Sequence, residues 1–322
     1  MSERTYLLPR DGQWYKANMH SHTVISDGHW TPEQAKAAYQ AKGYSVLAFT
    51  DHNRYRWHRE LCEPGFLALA AAEMNIDCPM PQPDRWDVTP VYHLNFYQKN
   101  PETAADPPLP ALYGYSVAEV NDYIAAMRQQ GFLCCYNHPD WSLQTEADYL
   151  PLQNLSAFEI FNYGCEAEGL YGYAPRAYDA LLRAGHRIAA LAGDDNHDEF
   201  APGHPFCDSF GGWTMIKAPA LSNAAILTAV ERRHCYAGNG PELHALYVQD
   251  GALQVECGPV AGIYVHGAGR KVLRAAAAPG QTITAAGFPL TGREPYLWVE
   301  LRDAQNHFAA SSAYFNDELF PI

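Results

Sequence analysis

The feature that most constrains this fold is a recurring arrangement in which a short apolar segment is followed by histidine or aspartate. The segments at 44–50, 132–136 and 187–192 are apolar, bounded and of strand length, so each predicts a buried strand. Helix signals stand between them, including capping-box sequences at 31–34 and 116–119. Alternation of this kind over the first 240 residues predicts a mostly parallel sheet with crossover helices.

The polar residues near the strand ends are of the types that bind divalent cations. His20 and His22 are separated by one residue, so both imidazoles project from the same side of an extended segment. Strands of an α/β barrel assemble active sites at their carboxyl ends, and only His93 lies within a predicted strand. Imidazole and carboxylate ligands suit zinc, manganese and iron. The candidate metal ligands are His20, His22, Asp27, His52, Glu73, His93, His138, Asp195 and His197.

This set is larger than one ion requires. Two or three divalent ions that share bridging carboxylates fit it better, and such a centre activates water and clamps the attacking and leaving oxygens. Glu73 is predicted to end the alanine-rich run 66–72, which is also compatible with a helix. Two positions stay open: Asp51 is either a ligand or a residue that orients one, and Asp194 competes with Asp195, which we favour.

The ordered motifs resemble those of the PHP (polymerase and histidinol phosphatase) superfamily. The resemblance covers residues 18–197 and implies a distorted (β/α)7 barrel, two or three metal ions and hydrolytic activity. The motifs are His20-Ser21-His22-Thr23 with Ser26-Asp27-Gly28, Thr50-Asp51-His52-Asn53, Glu73, His93, Asn137-His138-Pro139 and Gly193-Asp194-Asp195-Asn196-His197.

The resemblance also implies how the ligands divide among the ions. One ion would be held by His20, His22, Glu73 and Asp195. A second would be held by Asp27, His52 and His197, and a third by His93, His138 and the shared Glu73. Some members carry histidine at the position of Asp27, which leaves the occupancy of its ion open.

Further residues follow the ligand motifs and are candidates for substrate contacts. Arg54 is predicted to bind a substrate anion, His204 to donate a proton, and Asp27 to serve the reaction as well as a metal. The tyrosine-rich stretch 163–173 is predicted to line the substrate pocket or to pack as core.

After residue 240 the pattern changes to short alternating runs separated by Gly, Pro and Asp, which is typical of an all-β unit. We therefore predict a hydrolase domain over 1–240 and a small β-sandwich-like domain over 241–322. The motifs at 161–164 and 236–242 resemble a branch of the superfamily that carries a C-terminal β domain and includes carbaryl-hydrolase-like enzymes.

The composition argues against some classes of binding partner. A net charge of −14 argues against nucleic-acid polymers and anionic membrane surfaces, which need a basic footprint. The N-terminal residues lack the apolar core of a signal peptide, and the eight cysteines form no C-x-x-C pair, so we expect free thiols and a cytoplasmic location. The expected partner is a small anionic substrate, and a homo-oligomer is compatible with the sequence.

Three functional hypotheses remain from the sequence. The first is a metal-dependent phosphoesterase that acts on a small phosphate ester or nucleotide through a metal-bridging hydroxide. The second uses the same centre to hydrolyse a carboxylic ester, amide or carbamate, and the shortage of Lys and Arg near the ligands favours it. The third is a non-catalytic, metal-containing binding protein.

Overall fold

A computed structural model of the chain describes residues 4–79, 85–101, 109–111 and 114–321. Within these residues, no helix is both long enough and apolar enough to cross a membrane. The proline-rich loop predicted at 101–110 falls largely outside the described residues.

The strands of the first 240 residues include the apolar segments predicted at 44–50, 132–136 and 187–192, with ends shifted by at most two residues. They are β1 (Thr5–Tyr6), β2 (Gln13–Asn18), β3 (Val46–Phe49), β4 (Leu67–Asp77), β5 (Val91–Gln98), β6 (Phe132–Tyr136), β7 (Ala157–Asn162), β8 (Ala189–Gly193), β9 (Trp213–Ala218) and β10 (Cys235–Gly238).

Two helices begin at the caps that the capping-box sequences predicted. Thr31 and Ser116 each form a capping box with the residue three positions later, as the sequence predicted. The helices are α1 (Pro32–Ala41), α2 (Val117–Gln129), α3 (Glu146–Tyr149), α4 (Tyr163–Ala167), α5 (Pro175–Arg183), α6 (Asn223–Glu231) and α7 (Asn316–Leu319), with 3-10 turns at Arg59–Leu61 and Trp86–Val88.

The sheet of the first half is mostly parallel, but one strand runs the other way. Strands β2, β3 and β4 pair in parallel, as do β6, β7 and β8, whereas β5 pairs antiparallel with both β4 and β6. The mostly parallel sheet is as predicted, and β5 is the antiparallel exception among β2 to β8. The reversal has a consequence for His93, because the amino end of an antiparallel strand meets the carboxyl ends of its neighbours at the same rim.

The run at 66–72 is a strand, and the helical alternative is wrong. It continues past the predicted end at Glu73 to Asp77, so Glu73 lies inside β4 and not at its end. Every residue from Leu67 to Met74 is buried, which explains why the sequence shows no alternation there.

Strands β2 and β8, the two outer strands of the set β2 to β8, approach each other beyond their carboxyl ends. Ser21, after β2, forms a parallel bridge with Asn196, after β8. Backbone hydrogen bonds from Asp195 N to His20 O (2.9 Å) and from His22 N to Asn196 O (3.0 Å) reinforce the contact. The mixed α/β architecture is as predicted, and the seven-stranded barrel stays a prediction.

The C-terminal part is built from strands, as the alternating runs predicted. Two groups form: β1, β11, β12 and β15 make a four-stranded sheet, and β13, β14, β16 and β17 extend the large sheet through the pairing of β17 with β10. The division at residue 240 stays a prediction. The strands are β11 (Leu243–Gln249), β12 (Ala252–Val260), β13 (Gly262–Gly267), β14 (Leu273–Ala276), β15 (Ile283–Pro289), β16 (Tyr296–Arg302), β17 (Phe308–Ser311) and β18 (Tyr314–Phe315).

Candidate metal centre

Asn18, the last residue of β2, ties the first ligand loop to the last one. Its Oδ1 accepts hydrogen bonds from the backbone N–H of His20 (3.2 Å) and of Asp194 (2.9 Å). Its Nδ2 donates to Asn196 Oδ1 (3.1 Å), and the side chain is fully buried. Since an unmet buried donor or acceptor is costly, these contacts hold the two loops in one arrangement.

Glu73 lies at the centre of the cluster and is fully buried. Its Oε1 is 3.2 Å from His20 Nε2 and 3.1 Å from His93 Nδ1. The same oxygen is 3.4 Å from His138 Nε2, and Oε2 is 3.0 Å from His52 Nδ1. One carboxylate thus contacts imidazoles that come from four separate segments of the chain.

Asp195 is the second carboxylate of the cluster. Its Oδ1 is 3.0 Å from His20 Nε2 and 2.9 Å from His22 Nε2, and its Oδ2 is 3.6 Å from His138 Nε2. Asn162 donates to Oδ2 from Nδ2 at 3.0 Å. The backbone of Asp195 is left-handed, with φ of 52°, a conformation that Asp tolerates better than most residues.

Asp27 closes the solvent side of the cluster. Its carboxylate oxygens are 3.7 Å from His22 Nδ1, 3.5 Å from His52 Nε2 and 3.6 Å from His197 Nε2. The side chain of Asp27 is 54% exposed and that of His197 is 35% exposed, whereas Glu73 and His22 are at 0%. We call Asp27, His52 and His197 the mouth of the cluster, because access from solvent is through these side chains.

Asp51 does not join the cluster, which resolves one alternative left by the sequence. Its Oδ1 accepts hydrogen bonds from Thr23 N (2.8 Å), Ser26 N (3.2 Å) and Ser26 Oγ (2.9 Å). These contacts hold the turn that carries Asp27. Asp51 is therefore a residue that positions a candidate ligand.

Asp194 has a similar anchoring role. It accepts from the Tyr39 hydroxyl (2.7 Å) and from the backbone N–H groups of Phe210 (2.8 Å) and Gly212 (2.7 Å). Burial raises the pKa of the Asp194 carboxyl to about 7, although these hydrogen bonds oppose the shift. Asp195, which we favoured, is the residue that contacts the imidazoles.

The residues present fit divalent metal ions. Neighbouring donor atoms lie 2.9–3.7 Å apart across the cluster, which matches the ligand–ligand separations around an ion with bonds of about 2.0–2.2 Å. His22 Nδ1, Glu73 Oε2 and His138 Nε2 are buried without a hydrogen-bond partner. Four groups of donor atoms are compact enough to hold an ion: His22, Asp27, His52 and His197; His20, His22, Glu73 and Asp195; His20, His138 and Glu159; and His52, Glu73 and His93.

The electrostatics of the cluster follow from its burial and its mixture of charges. Burial alone raises the pKa of the Glu73 carboxyl, but the imidazoles of His93, His20 and His52 outweigh it and hold that pKa well below its usual range. Burial, assisted by the nearby His197 ring, lowers the pKa of His22 to about 4. His22 is thus neutral near pH 7 and available as a ligand.

The mouth histidines differ from the buried ones. Burial lowers the pKa of His52 and of His197, but carboxylates reverse the effect. Glu73 dominates at His52 and raises its pKa to about 8. Asp27 and Asp195 raise the pKa of His197 to about 9. A divalent cation between these groups would replace the proton as the partner of the carboxylates.

Several residues that orient the ligands were missed by the sequence reasoning. Glu159 lies on β7, and its Oε1 is 2.9 Å from His20 Nδ1, which leaves Nε2 of that ring facing Glu73 and Asp195. Asn75 Oδ1 lies 2.8 Å from His52 Nδ1. A carboxylate or amide behind a histidine ligand fixes its tautomer and orientation. The signal for Glu159 was a buried strand, Ala157-Phe158-Glu159-Ile160-Phe161, with one acid inside it.

An aromatic side chain lies beside the buried histidines. The Trp141 ring centroid is 5.1 Å from that of His93 and 5.3 Å from that of His138. The carboxylate of Glu168 forms a hydrogen bond with the Trp141 side chain. Burial, together with the charge of Asp195, raises the pKa of the Glu168 carboxyl. Neither residue was singled out from the sequence.

The two remaining predicted site residues make no hydrogen bond or ion pair with the cluster in the described part of the chain. Arg54 is exposed on the loop after His52. The ring of His204 stacks on Phe200 with centroids 4.5 Å apart, and its Nδ1 accepts from Phe206 N at 3.2 Å. Their roles stay predictions, as does metal binding by each candidate ligand.

The tyrosine-rich stretch divides between packing and exposure. Tyr173 bonds to Glu300 Oε2 at 2.6 Å and its ring lies 4.1 Å from that of Phe308, so it belongs to the packing. Tyr171 is 80% exposed. Among the described residues, no Lys or Arg side chain forms an ion pair with a candidate ligand, so the cluster is bounded by acids and imidazoles.

Comparison with known proteins identifies structural neighbours only. Neither the protein-family models nor the curated proteins give a match to this sequence. Among solved structures, the chain is similar to a two-domain protein from Bacteroides vulgatus ATCC 8482 that contains a predicted PHP-like metal-dependent phosphoesterase. The identity is 14% and the TM-score 0.48, over 98% of this chain and 99% of that one.

Two further neighbours cover a smaller share of the chain. One is a predicted metal-dependent phosphoesterase from Bifidobacterium adolescentis ATCC 15703, with 16% identity and a TM-score of 0.39 over 61% of this chain and 91% of that one. The other is an amidohydrolase from Chromobacterium violaceum with bound sulfate and no metal, with 12% identity and a TM-score of 0.36 over 59% and 93%. The first neighbour carries the family description that the motifs predicted, and the carbaryl-hydrolase-like branch stays a prediction.

Proposed function

We propose that this chain is a metal-dependent hydrolase with two or three divalent ions in the cluster around Glu73. The observation that carries the proposal is the convergence of donor atoms from separate loops, with buried atoms of His22, Glu73 and His138 left without hydrogen-bond partners. Structural polar networks satisfy such atoms internally. Ligands that are held but unsatisfied are what a cation site requires.

The ligand groups suggest which residues hold each ion. His20, His22, Glu73 and Asp195 form one compact group, and Asp27, His52 and His197 form a second with His22. A third ion would be held by His93, His138 and the shared Glu73. We infer further that strands β2 to β8 form the distorted seven-stranded barrel, a proposal supported by the bridge between Ser21 and Asn196.

Divalent ions bound here would supply Lewis acidity and an activated water for hydrolysis. The chain itself supplies orientation and exclusion of solvent. Glu159 and Asn75 fix the rings of His20 and His52, and the Trp141 ring lies against those of His93 and His138. Substrate enters at the mouth, where Asp27 and His197 are accessible.

Our first candidate reaction is hydrolysis of a small phosphate ester or nucleotide. Water oxygen bonds to phosphorus as the ester P–O bond breaks, and the leaving alkoxide takes up a proton. Arg54 is the proposed anion-binding residue, and His204 the proposed proton donor. The closely spaced donor groups favour this reaction, because ions held by them would supply positive charge where negative charge develops on the phosphate oxygens.

A second candidate is hydrolysis of a carboxylic ester, amide or carbamate. It is favoured by the acids at the mouth: the most exposed side chain there is the carboxylate of Asp27, Glu168 lies nearby, and no described Lys or Arg pairs with a candidate ligand. A doubly charged phosphomonoester would meet like charges unless the ions offset them. A neutral ester or carbamate would not.

One set of measurements tests both candidates. Purified protein is analysed for metal by mass spectrometry and assayed on an aryl phosphate, an aryl phosphodiester, a nucleotide, an aryl ester and an aryl carbamate. The His20→Ala/His22→Ala variant should lose bound metal and turnover together. A matched control, His186→Ala/His307→Ala, removes two imidazoles outside the cluster and should retain both.

The pattern of substrates separates the hypotheses. Phosphate release that the His20→Ala/His22→Ala variant lacks supports the phosphoesterase, and turnover confined to the ester or carbamate supports the second candidate. Full metal occupancy without turnover of any substrate would refute the hydrolase and favour a metal-containing binding protein.

A further inference from the structure

A cavity lies outside the metal cluster, lined by residues of the N-terminal segment, of β9 and of the strands β11 and β12. It has a volume of about 230 Å³. Three cationic side chains line it, Arg4, Arg10 and Lys217, against the single carboxylate of Glu256. The other lining residues are Tyr6, Leu8, Pro9, His244, Ala245 and Tyr247.

Two features of the backbone form this cavity. Strand β1 pairs with β11, and the amides of Leu7 and Leu8 both donate to Leu246 O (2.9 and 3.3 Å) before the chain enters β2, which pairs with β9. On β11 the pairing with β12 shifts register between Leu243 and Ala245, which makes His244 the extra residue of a bulge. Bulges re-aim side chains and are common beside functional sites.

The cations of the cavity are only partly neutralised. Glu256 already accepts a hydrogen bond from the Tyr247 hydroxyl at 2.9 Å, and Arg4 donates to the neutral Gln249 side chain at 2.8 Å. Within the described residues, neither Arg10 nor Lys217 forms an ion pair. In a chain of net charge −14, this cavity therefore carries a local excess of positive charge.

The cavity is separate from the metal cluster. Lys217 on β9 is paired with Trp14 near the start of β2, whereas the ligand loop follows the end of that strand. Trp14 and His20 are six positions apart along a largely extended segment, roughly 20 Å at about 3.3 Å per residue. A ligand in the cavity would not contact the metal ligands.

We propose that this cavity binds a small oxyanion, a phosphate group either free or carried by a small organic molecule. Guanidinium groups donate in a planar fork that matches phosphate oxygens, and an ammonium adds a point charge. The cavity brings both types to one space, with tyrosine hydroxyls beside them. The inference is independent of the proposed hydrolase function, because it uses no residue of the metal cluster.

Calorimetric titration of the full chain tests the proposal. Inorganic phosphate and methylphosphonate, which has no ester bond to hydrolyse, are the probes. The Arg10→Ala/Lys217→Ala variant should bind these probes in the cavity at least tenfold more weakly than the parent chain does. The control Arg270→Ala/Lys271→Ala removes the same charge from an exposed segment and should leave this binding unchanged. Salt should weaken binding by screening.

The outcomes decide the proposal. The His20→Ala/His22→Ala variant distinguishes binding in the cavity from binding at the metal cluster, because it should still bind the probes in the cavity. Tighter binding of methylphosphonate than of phosphate indicates an organic phosphate as the occupant, and equal or weaker binding indicates the free anion. The proposal is overturned if the cavity variant titrates like the parent chain, or if the control loses as much affinity as the cavity variant. Crystals soaked with tungstate provide a second measurement, since density confined to the metal cluster would also overturn it.

Discussion

Replacing Glu159 by Gln tests whether the cluster depends on the residue behind His20. Glu159 Oε1 lies 2.9 Å from His20 Nδ1, and its Oε2 accepts from Asn162 Nδ2 at 3.0 Å. The glutamine keeps the volume and one acceptor oxygen but removes the charge. Its amide nitrogen would face a donor, either Asn162 Nδ2 or the Nδ1–H of His20.

The size of the effect follows from this geometry. His20 Nε2 contacts both Glu73 (3.2 Å) and Asp195 (3.0 Å), so a rotated His20 ring disturbs both carboxylates at once. Loss of a partner behind a metal-binding histidine typically costs 10–100-fold in metal affinity, about 1.4–2.8 kcal/mol. Because Glu159 is 3% exposed, little solvent is available to replace the lost contact.

The assay is competition between the protein and a fluorescent chelator for zinc and manganese, with the melting temperature of the metal-free protein measured alongside. Glu159→Gln should lower metal affinity within that range, whereas the exposed Glu199→Gln, which also removes one negative charge, should not change it. Unchanged metal affinity in a folded Glu159→Gln variant would refute the assignment of Glu159 as the residue that orients His20.

Three further predictions test other parts of the structure. Trp141→Ala should raise KM for an aryl substrate up to about tenfold with a smaller change in kcat, because the aromatic ring beside His93 and His138 is lost as a packing surface for the aryl group. Steady-state kinetics on the aryl ester and the methyl ester of one acid shows whether the rise in KM depends on the aryl group. Asn18→Ala should lower the free energy of unfolding by about 2–4 kcal/mol, measured with urea, because it leaves buried donors and acceptors unmet; a loss below 0.5 kcal/mol would contradict its tying role. Burial, with the charges of Arg232 and Arg233, lowers the pKa of His234 to about 4, so the folded state binds fewer protons than the unfolded state below about pH 6.5. The free energy of unfolding should therefore fall as pH drops from about 6.5 to 4, and it should fall less in His234→Gln. Urea unfolding at several pH values checks this, and equal pH slopes for the variant and the parent chain would contradict it.

The sequence was most informative where a local change in polarity marks a structural boundary. Strand β6 is predicted and observed at the same residues, because an apolar run there is bounded by Gly131 and Asn137. The helix starts at Thr31 and Ser116 were predictable because a capping box is a contact between residues three positions apart. Glu73 was identified as a candidate ligand although the extent of its strand was not.

Contacts between distant segments could not be predicted from local sequence patterns. The direction of β5, which brings His93 to the rim, depends on its pairing with β4 and β6. Glu159 and Asn75 orient histidines that lie far from them in sequence, and no local pattern shows which histidine each of them contacts. The separation of Asp194 from Asp195 likewise depends on which backbone amides lie within reach of each carboxylate.

By itself, the sequence determined the types of side chain that end the strands and the elements that carry them, because propensity, capping and apolar patterning act over a few residues. The tertiary structure alone decided which carboxylate contacts which imidazole, which side chains stand behind them and which remain open to solvent. Those properties are set by strand direction, register and loop closure, which join residues more than a hundred positions apart, as Asn18 is joined to Asp194 and Asn196.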